Sequence, residues 1–180
     1  MRTPAYVLLA ASVTSACGGA GTAPSGPSQD APQLTGTYTG PTTDSDISPP
    51  VQVSTWNIRF LRAGANNWVF RPCTGTVTIE QAGFNFTGSF TQGENCPATE
   101  GRVINGTVRP DASVRFSLVG PASDPLAWTG FANCNSIQPG ALEFAGTVNG
   151  RLLAAESSGV FIQCPNEGAV SLYVRVRGAR

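Results

Sequence analysis

The feature that most constrains this chain is a two-residue alternation of apolar and polar side chains, in short runs separated by turn-forming residues. Thr76 to Gln81 sets Val77 and Ile79 against Thr78 and Glu80, and the next run sets Phe84, Phe86, Gly88 and Phe90 against Asn85, Thr87 and Ser89. A period of two sends alternate side chains to opposite faces of a strand. A turn at Ala82-Gly83 then pairs Ile79 with Phe86, Val77 with Gly88 and Gly75 with Phe90. A loop at Pro110-Asp111-Ala112 pairs Val108 with Val114, Gly106 with Phe116 and Ile104 with Leu118. A third turn, Asn149-Gly150, sets Gly146 against Leu153 and Phe144 against Ala155. In the last run Val170, Leu172, Val174 and Val176 share one face, and Ser171, Tyr173, Arg175 and Arg177 the other. Trp56, Ile58 and Phe60 share a face ahead of a loop at Gly64-Ala65-Asn66, after which Trp68 and Phe70 follow.

No helical stripe follows the N-terminal segment, and 21 glycines with 14 prolines suit a chain rich in turns. Units such as Gly36-Thr37-Tyr38, Gly106-Thr107-Val108 and Gly146-Thr147-Val148 reuse one strand element without a fixed period. Glycine opposite an aromatic ring lets a sheet bend without leaving a hole. The pattern predicts an all-β domain over residues 34–178, an antiparallel up-and-down meander closed into a small β-barrel. A two-sheet β-sandwich is the alternative, but closure is the better way to remove exposed edges. A membrane-spanning barrel is disfavoured, because lipid-facing strands and aromatic girdles are missing.

Composition narrows the function. Eleven basic residues, all arginine, balance eleven acidic ones, so there is no dense basic surface for nucleic acid. With no histidine, the commonest general base and the commonest metal ligand are both missing. Serine and cysteine nucleophiles thus lack their usual partner, and no glycine-rich phosphate loop with a lysine exists. The acidic residues Glu80, Glu143, Glu156, Asp111 and Asp124 fall mostly at loops or outward strand positions, as solvated carboxylates do. Asp44 and Asp46 offer oxygen ligands for a cation, without the rest of a calcium loop. The reading is of a non-enzyme with no cofactor and no metal centre.

The N-terminus reads as an address. Arg2 precedes an apolar run from Tyr6 through Ala11, too short to span a membrane, and small residues lead to Cys17. The stretch Val13-Thr14-Ser15-Ala16-Cys17 resembles the lipobox of bacterial lipoproteins, with Thr14 where leucine is usual. That resemblance implies a signal peptide over residues 1–16 and a diacylglycerol on Cys17. It also implies, through Gly18, retention at the outer membrane of the cell envelope. Residues 17–33 hold the lipidated cysteine and a Gly/Ala/Pro/Ser/Thr-rich linker that cannot offset its ordering entropy by burial. A coil of that length reaches roughly 20–25 Å.

The opening Leu34-Thr35-Gly36-Thr37-Tyr38 resembles the first strand of lipocalin-like (calycin) barrels, which carry Gly-x-Trp there. The resemblance implies an arginine near the end of the last strand, Arg175 or Arg177, packed over the Tyr38 ring.

If Cys17 is lipidated, four cysteines remain, in an oxidising compartment. Cys73 and Cys96 bracket the first hairpin and Cys134 and Cys164 the third, so the expected disulfides are Cys73–Cys96 and Cys134–Cys164. A four-thiolate zinc site is disfavoured by the wide spacing. Tyr38, Trp56, Trp68, Phe86, Phe90, Phe116, Trp128 and Phe144 are candidates to line a ligand pocket, unless they simply fill the core. The leading expectation is a lipid-anchored envelope protein whose barrel binds or carries a small apolar ligand, with the membrane and that ligand as partners. The competing one is a protein-interaction or protease-inhibitor-like module with a filled core.

Overall fold

A computed structural model describes residues 30–40, 42–44, 51–53, 55–93, 100–121, 126–131, 133–136 and 141–180, with backbone alone at 42–44, 51–53, 56, 135 and 136. Cys17, Cys96, Asp46 and Asp124, and the side chains of Asp44 and Trp56, lie outside the described residues.

Fourteen strands run through them: β1 (Gly36–Thr39), β2 (Thr42–Asp44), β3 (Val51–Val53), β4 (Trp56–Arg62), β5 (Val69–Cys73), β6 (Gly75–Ala82), β7 (Asn85–Gln92), β8 (Glu100–Val108), β9 (Ser113–Val119), β10 (Asn135–Ser136), β11 (Ala141–Asn149), β12 (Leu152–Ser157), β13 (Val160–Cys164) and β14 (Gly168–Ala179). The only helical turn among them is a 3-10 turn at Ala127–Thr129. Eight strands, in the order β1-β6-β7-β8-β9-β11-β12-β14, close through the β1–β14 pairing into an antiparallel barrel. The expected meander is therefore closed, and the sandwich is not formed.

The meander carries an extension. β14 is twelve residues long and changes partners along its length. Its C-terminal half pairs with β12 on one side and reaches β1 on the other, while its N-terminal half pairs with β13 and β4. β5 and β10 continue this second sheet outward, in the order β10-β13-β14-β4-β5. Two buried hydroxyls lie where the partners change. Ser157 Oγ accepts from Val174 N (2.8 Å) between β12 and β13. Thr55 Oγ1 donates to the Gly75 carbonyl (2.7 Å) and accepts from Gly40 N (2.8 Å), between β1 and β4. Each supplies a hydrogen bond that an interrupted ladder would otherwise leave unmade.

The faces follow the alternation, and Val170, Leu172, Val174 and Val176 are all fully buried. The hairpin registers differ from expectation. In the first, Ala82 pairs with Asn85, so the turn is Gly83-Phe84 and Ile79 faces Gly88. In the third, Asn149 pairs with Leu152, so the turn is Gly150-Arg151 and Gly146 faces Ala155. In both, glycine takes the first turn position with φ near +60° (61° at Gly83, 58° at Gly150), where an L side chain is strained. The register moves by two residues, which keeps every side chain on its face. Phe84 becomes a turn residue and is exposed.

The second hairpin keeps Val108 opposite Val114, but a bulge between Ile104 and Thr107 places Val103, not Ile104, opposite Leu118. Asn105 adopts φ 55° there, a left-handed conformation that asparagine tolerates better than most residues other than glycine. Gly106 faces Phe86 rather than Phe116, and a Cβ on it would lie 2.3 Å from the Phe86 ring.

The arginine over Tyr38 is Arg180, with its guanidinium carbon 5.7 Å from the ring centroid. Arg175 and Arg177 stand at the outward parity of β14, so they cannot reach a ring inside the barrel. Arg180 continues the inward series Val174, Val176, Gly178, and also donates to the carbonyls of Thr35 (2.6 Å) and Gln33 (2.7 Å). Tyr38 is fully buried and donates its hydroxyl to the Leu34 carbonyl (2.8 Å). Burial pushes its phenol above the usual range, against the opposing pull of Arg180.

A packed interior and an aromatic cleft outside it

The residues expected to line a pocket divide sharply. Tyr38, Phe86, Phe90, Phe116, Trp128 and Phe144 are all at most 3% exposed, and most of these rings pack against one another. Phe116 stacks on Phe144 with centroids 5.2 Å apart and planes within 5°. Phe86 leans on Phe116 at 5.9 Å, and Phe90 meets Trp128 edge-on at 5.3 Å. Such contacts are those of a close-packed core. Trp68 stands apart at 45% exposed, on the outside of the extension sheet.

There it joins an open cleft of about 520 Å³, bordered by Arg59, Trp68, Phe70, Val160, Phe161, Ser171 and Tyr173. The volume lies within the range of small-molecule sites. Its walls follow from strand pairing. β14 presents Ser171 and Tyr173 outward because Leu172 and Val174 point in, and β4 presents Arg59 because Ile58 and Phe60 point in. Tyr173 pairs with Arg59, and Arg59 with Phe70, giving one cross-strand row over β14, β4 and β5. The next row places Ser171 between Phe161 of β13 and Leu61 of β4. Serine is the smallest side chain in that row and forms the floor. Phe161, 65% exposed, and Phe70, 56% exposed, rise beside it. Three of the five large apolar side chains that stand out from the described surface thus border one cleft. Clustering of that kind marks binding surfaces more often than scattered exposure does.

The row carries one charge held by rings. The Arg59 guanidinium carbon lies 5.0 Å from the Phe70 centroid and 5.8 Å from that of Tyr173. The Tyr173 hydroxyl donates to the Glu156 carboxylate, which also forms an ion pair with Arg175. Burial pushes the Glu156 carboxyl up, but the Tyr173 hydrogen bond and the charges of Arg175 and Arg59 outweigh it and hold the group below its usual range. Burial and the Glu156 contact push the Tyr173 phenol up to about 12. Tyr173 is thus a neutral donor at physiological pH.

Cys134 and Cys164 form a disulfide (Cα–Cα 4.3 Å) that fastens β10 to β13, the strand carrying Phe161. Cys73 is also disulfide-bonded. Among the described residues no group of three or more acidic or cysteine side chains gathers to hold a metal ion. Asp111 caps its own turn, accepting from Ser113 N at 2.9 Å, and hydrogen bonding from the Ser113 side chain and backbone holds its carboxyl below the usual range.

Of the sequence candidates with described side chains, only Trp68 reaches the cleft; Arg59, Phe70, Phe161, Ser171 and Tyr173 are not among those candidates. The signal that would have found two of them is an aromatic at the polar parity of an alternating strand. Phe161 stands between buried Val160 and Ile162, and Tyr173 between buried Leu172 and Val174. No family model, curated protein or solved structure matches the chain.

Proposed function

We propose that this protein is a lipid-anchored binding protein of the bacterial envelope that takes a small apolar ligand in the outer cleft. In this reading the barrel is a rigid scaffold. The carrying observation is the contrast between rings that pack against one another inside and rings left uncovered around Ser171. The lipocalin-like reading supported a ligand within the barrel; the stacked interior rings favour its outer wall instead. Anchoring rests on the lipobox-like stretch ending at Cys17 and the linker behind it, since acyl chains supply membrane affinity that the domain need not.

The cleft is tested by titrating the protein with 1-octanol while following tryptophan emission, with Trp68→Phe as the control. Saturable change in the parent that is lost in the variant supports the reading, and no saturable change argues against it. Anchoring is tested by Cys17→Ser, which should move the protein from the membrane fraction to the soluble one. A protein partner is the second reading. It is favoured by Phe161, whose 65% exposure suits an interface anchor.

A further inference from the structure

We infer that the ligand of this cleft is an amphipathic monoanion: an apolar body between the rings of Trp68, Phe70 and Phe161, with one carboxylate-like charge at Arg59. The inference rests on the proposed outer-cleft reading and adds the ligand's charge.

Arg59 lacks the protein acceptor that four other arginines of the described structure have. Arg62 pairs with Glu167 at 2.8 Å, Arg71 donates to the Thr129 carbonyl at 3.2 Å, Arg175 pairs with Glu156, and Arg180 donates to the Thr35 and Gln33 carbonyls. Arg59 has rings on two sides, and its Nε is buried without a hydrogen-bond partner. Among the described residues no protein acceptor takes the remaining guanidinium N–H groups, which are left to face the open cleft, so a ligand carboxylate can accept from them in a charge-assisted hydrogen bond. The Glu156 carboxylate, whose charge Arg59 stabilises, is already engaged by Tyr173 and Arg175. Among the described residues, Arg59 and Arg175 face the single carboxylate of Glu156, a local excess of positive charge that favours an anion and disfavours a cation. One unsatisfied guanidinium matches one carboxylate, whereas a polyanion would need more cations than the cleft presents. The two rings hold the guanidinium in place, so little side-chain freedom is lost when an anion docks.

The test titrates the full chain with octanoate, 1-octanol and octyltrimethylammonium by calorimetry at neutral pH, below their micelle concentrations. Octanoate should bind roughly ten- to a hundred-fold more tightly than octanol, the range of a charge-assisted hydrogen bond, with the ammonium weakest. Arg59→Gln should abolish the preference, so that octanoate binds no more tightly than octanol does to the same variant. Arg59→Lys, which keeps the charge but not the fork, should retain part of the preference. Ser171→Phe, which fills the floor, should weaken all three. Equal binding of octanoate and octanol by the parent protein would overturn the charge inference and leave the apolar cleft standing. Failure of all three to bind would overturn both.

Discussion

Two sets of aromatic residues, on the two sides of one sheet system, meet opposite fates. Inside, Phe86, Phe116 and Phe144 pack against one another and against the aliphatic lining. Outside, Phe70, Phe161 and Trp68 stand uncovered around a serine. β14 runs between the two, with Val170 to Val176 buried at even positions and Ser171, Tyr173 and Arg175 half-buried at odd ones. The difference teaches where each kind of energy is held. The interior rings have their contacts already and stabilise the fold. The exterior rings still face water, so covering them can drive binding.

Truncation should separate the two sets most clearly. Phe116→Ala or Phe144→Ala removes a ring from the stacked interior and should destabilise the domain by about 3–5 kcal/mol. Phe161→Ala should stay within about 0.5 kcal/mol, as surface changes do. Urea denaturation of the three variants measures both, and equal losses would erase the distinction. Next in size is the bond behind the outer face: replacing Cys134 and Cys164 by serine should lower stability by about 3–4 kcal/mol for a loop of this length. Because β10 is a two-residue strand pinned to β13, the double variant should also speed hydrogen exchange at β13 more than at β9.

Smaller in effect, and more local, is the titration of Tyr173. Its folded pKa of about 12 exceeds the usual 10, so the fold holds that proton more tightly than the unfolded chain does. The resulting stability is present in full below pH 10 and is lost as pH climbs from 10 to 12. Tyr173→Phe should flatten the stability curve in that window, read by thermal melts at stepped pH. It should also remove a phenol ionising near pH 12 from the ultraviolet titration.

The fold was legible because period two is a strong signal wherever one face is buried. It placed the inward side chains of β14, and it also explains why Arg180, not Arg175 or Arg177, meets Tyr38. Turn centres were less legible. Ala82-Gly83 and Asn149-Gly150 read as turns with glycine second, yet glycine comes first in both, and a slip of two residues leaves the faces unchanged. The bulge at Asn105 accompanies the pairing of Gly106 with Phe86 across strands, which local pattern does not encode. The partner change along β14 is similarly non-local, since β4 pairs with β14 and β5 rather than with β6, the strand that follows them in the chain. The site was the least legible part. Aromatic content alone does not tell a filled core from a lined pocket, whereas strand parity distinguishes the two at Phe161 and Tyr173.

The most direct test of the central claim, that binding belongs to the outer cleft and not the barrel interior, is amide chemical-shift mapping with octanoate. The account predicts saturable shifts at Trp68, Phe161, Ser171 and Tyr173, with Phe116 and Phe144 unmoved. Shifts concentrated at Phe116, Phe144 and Leu118, with the outer row silent, would contradict it.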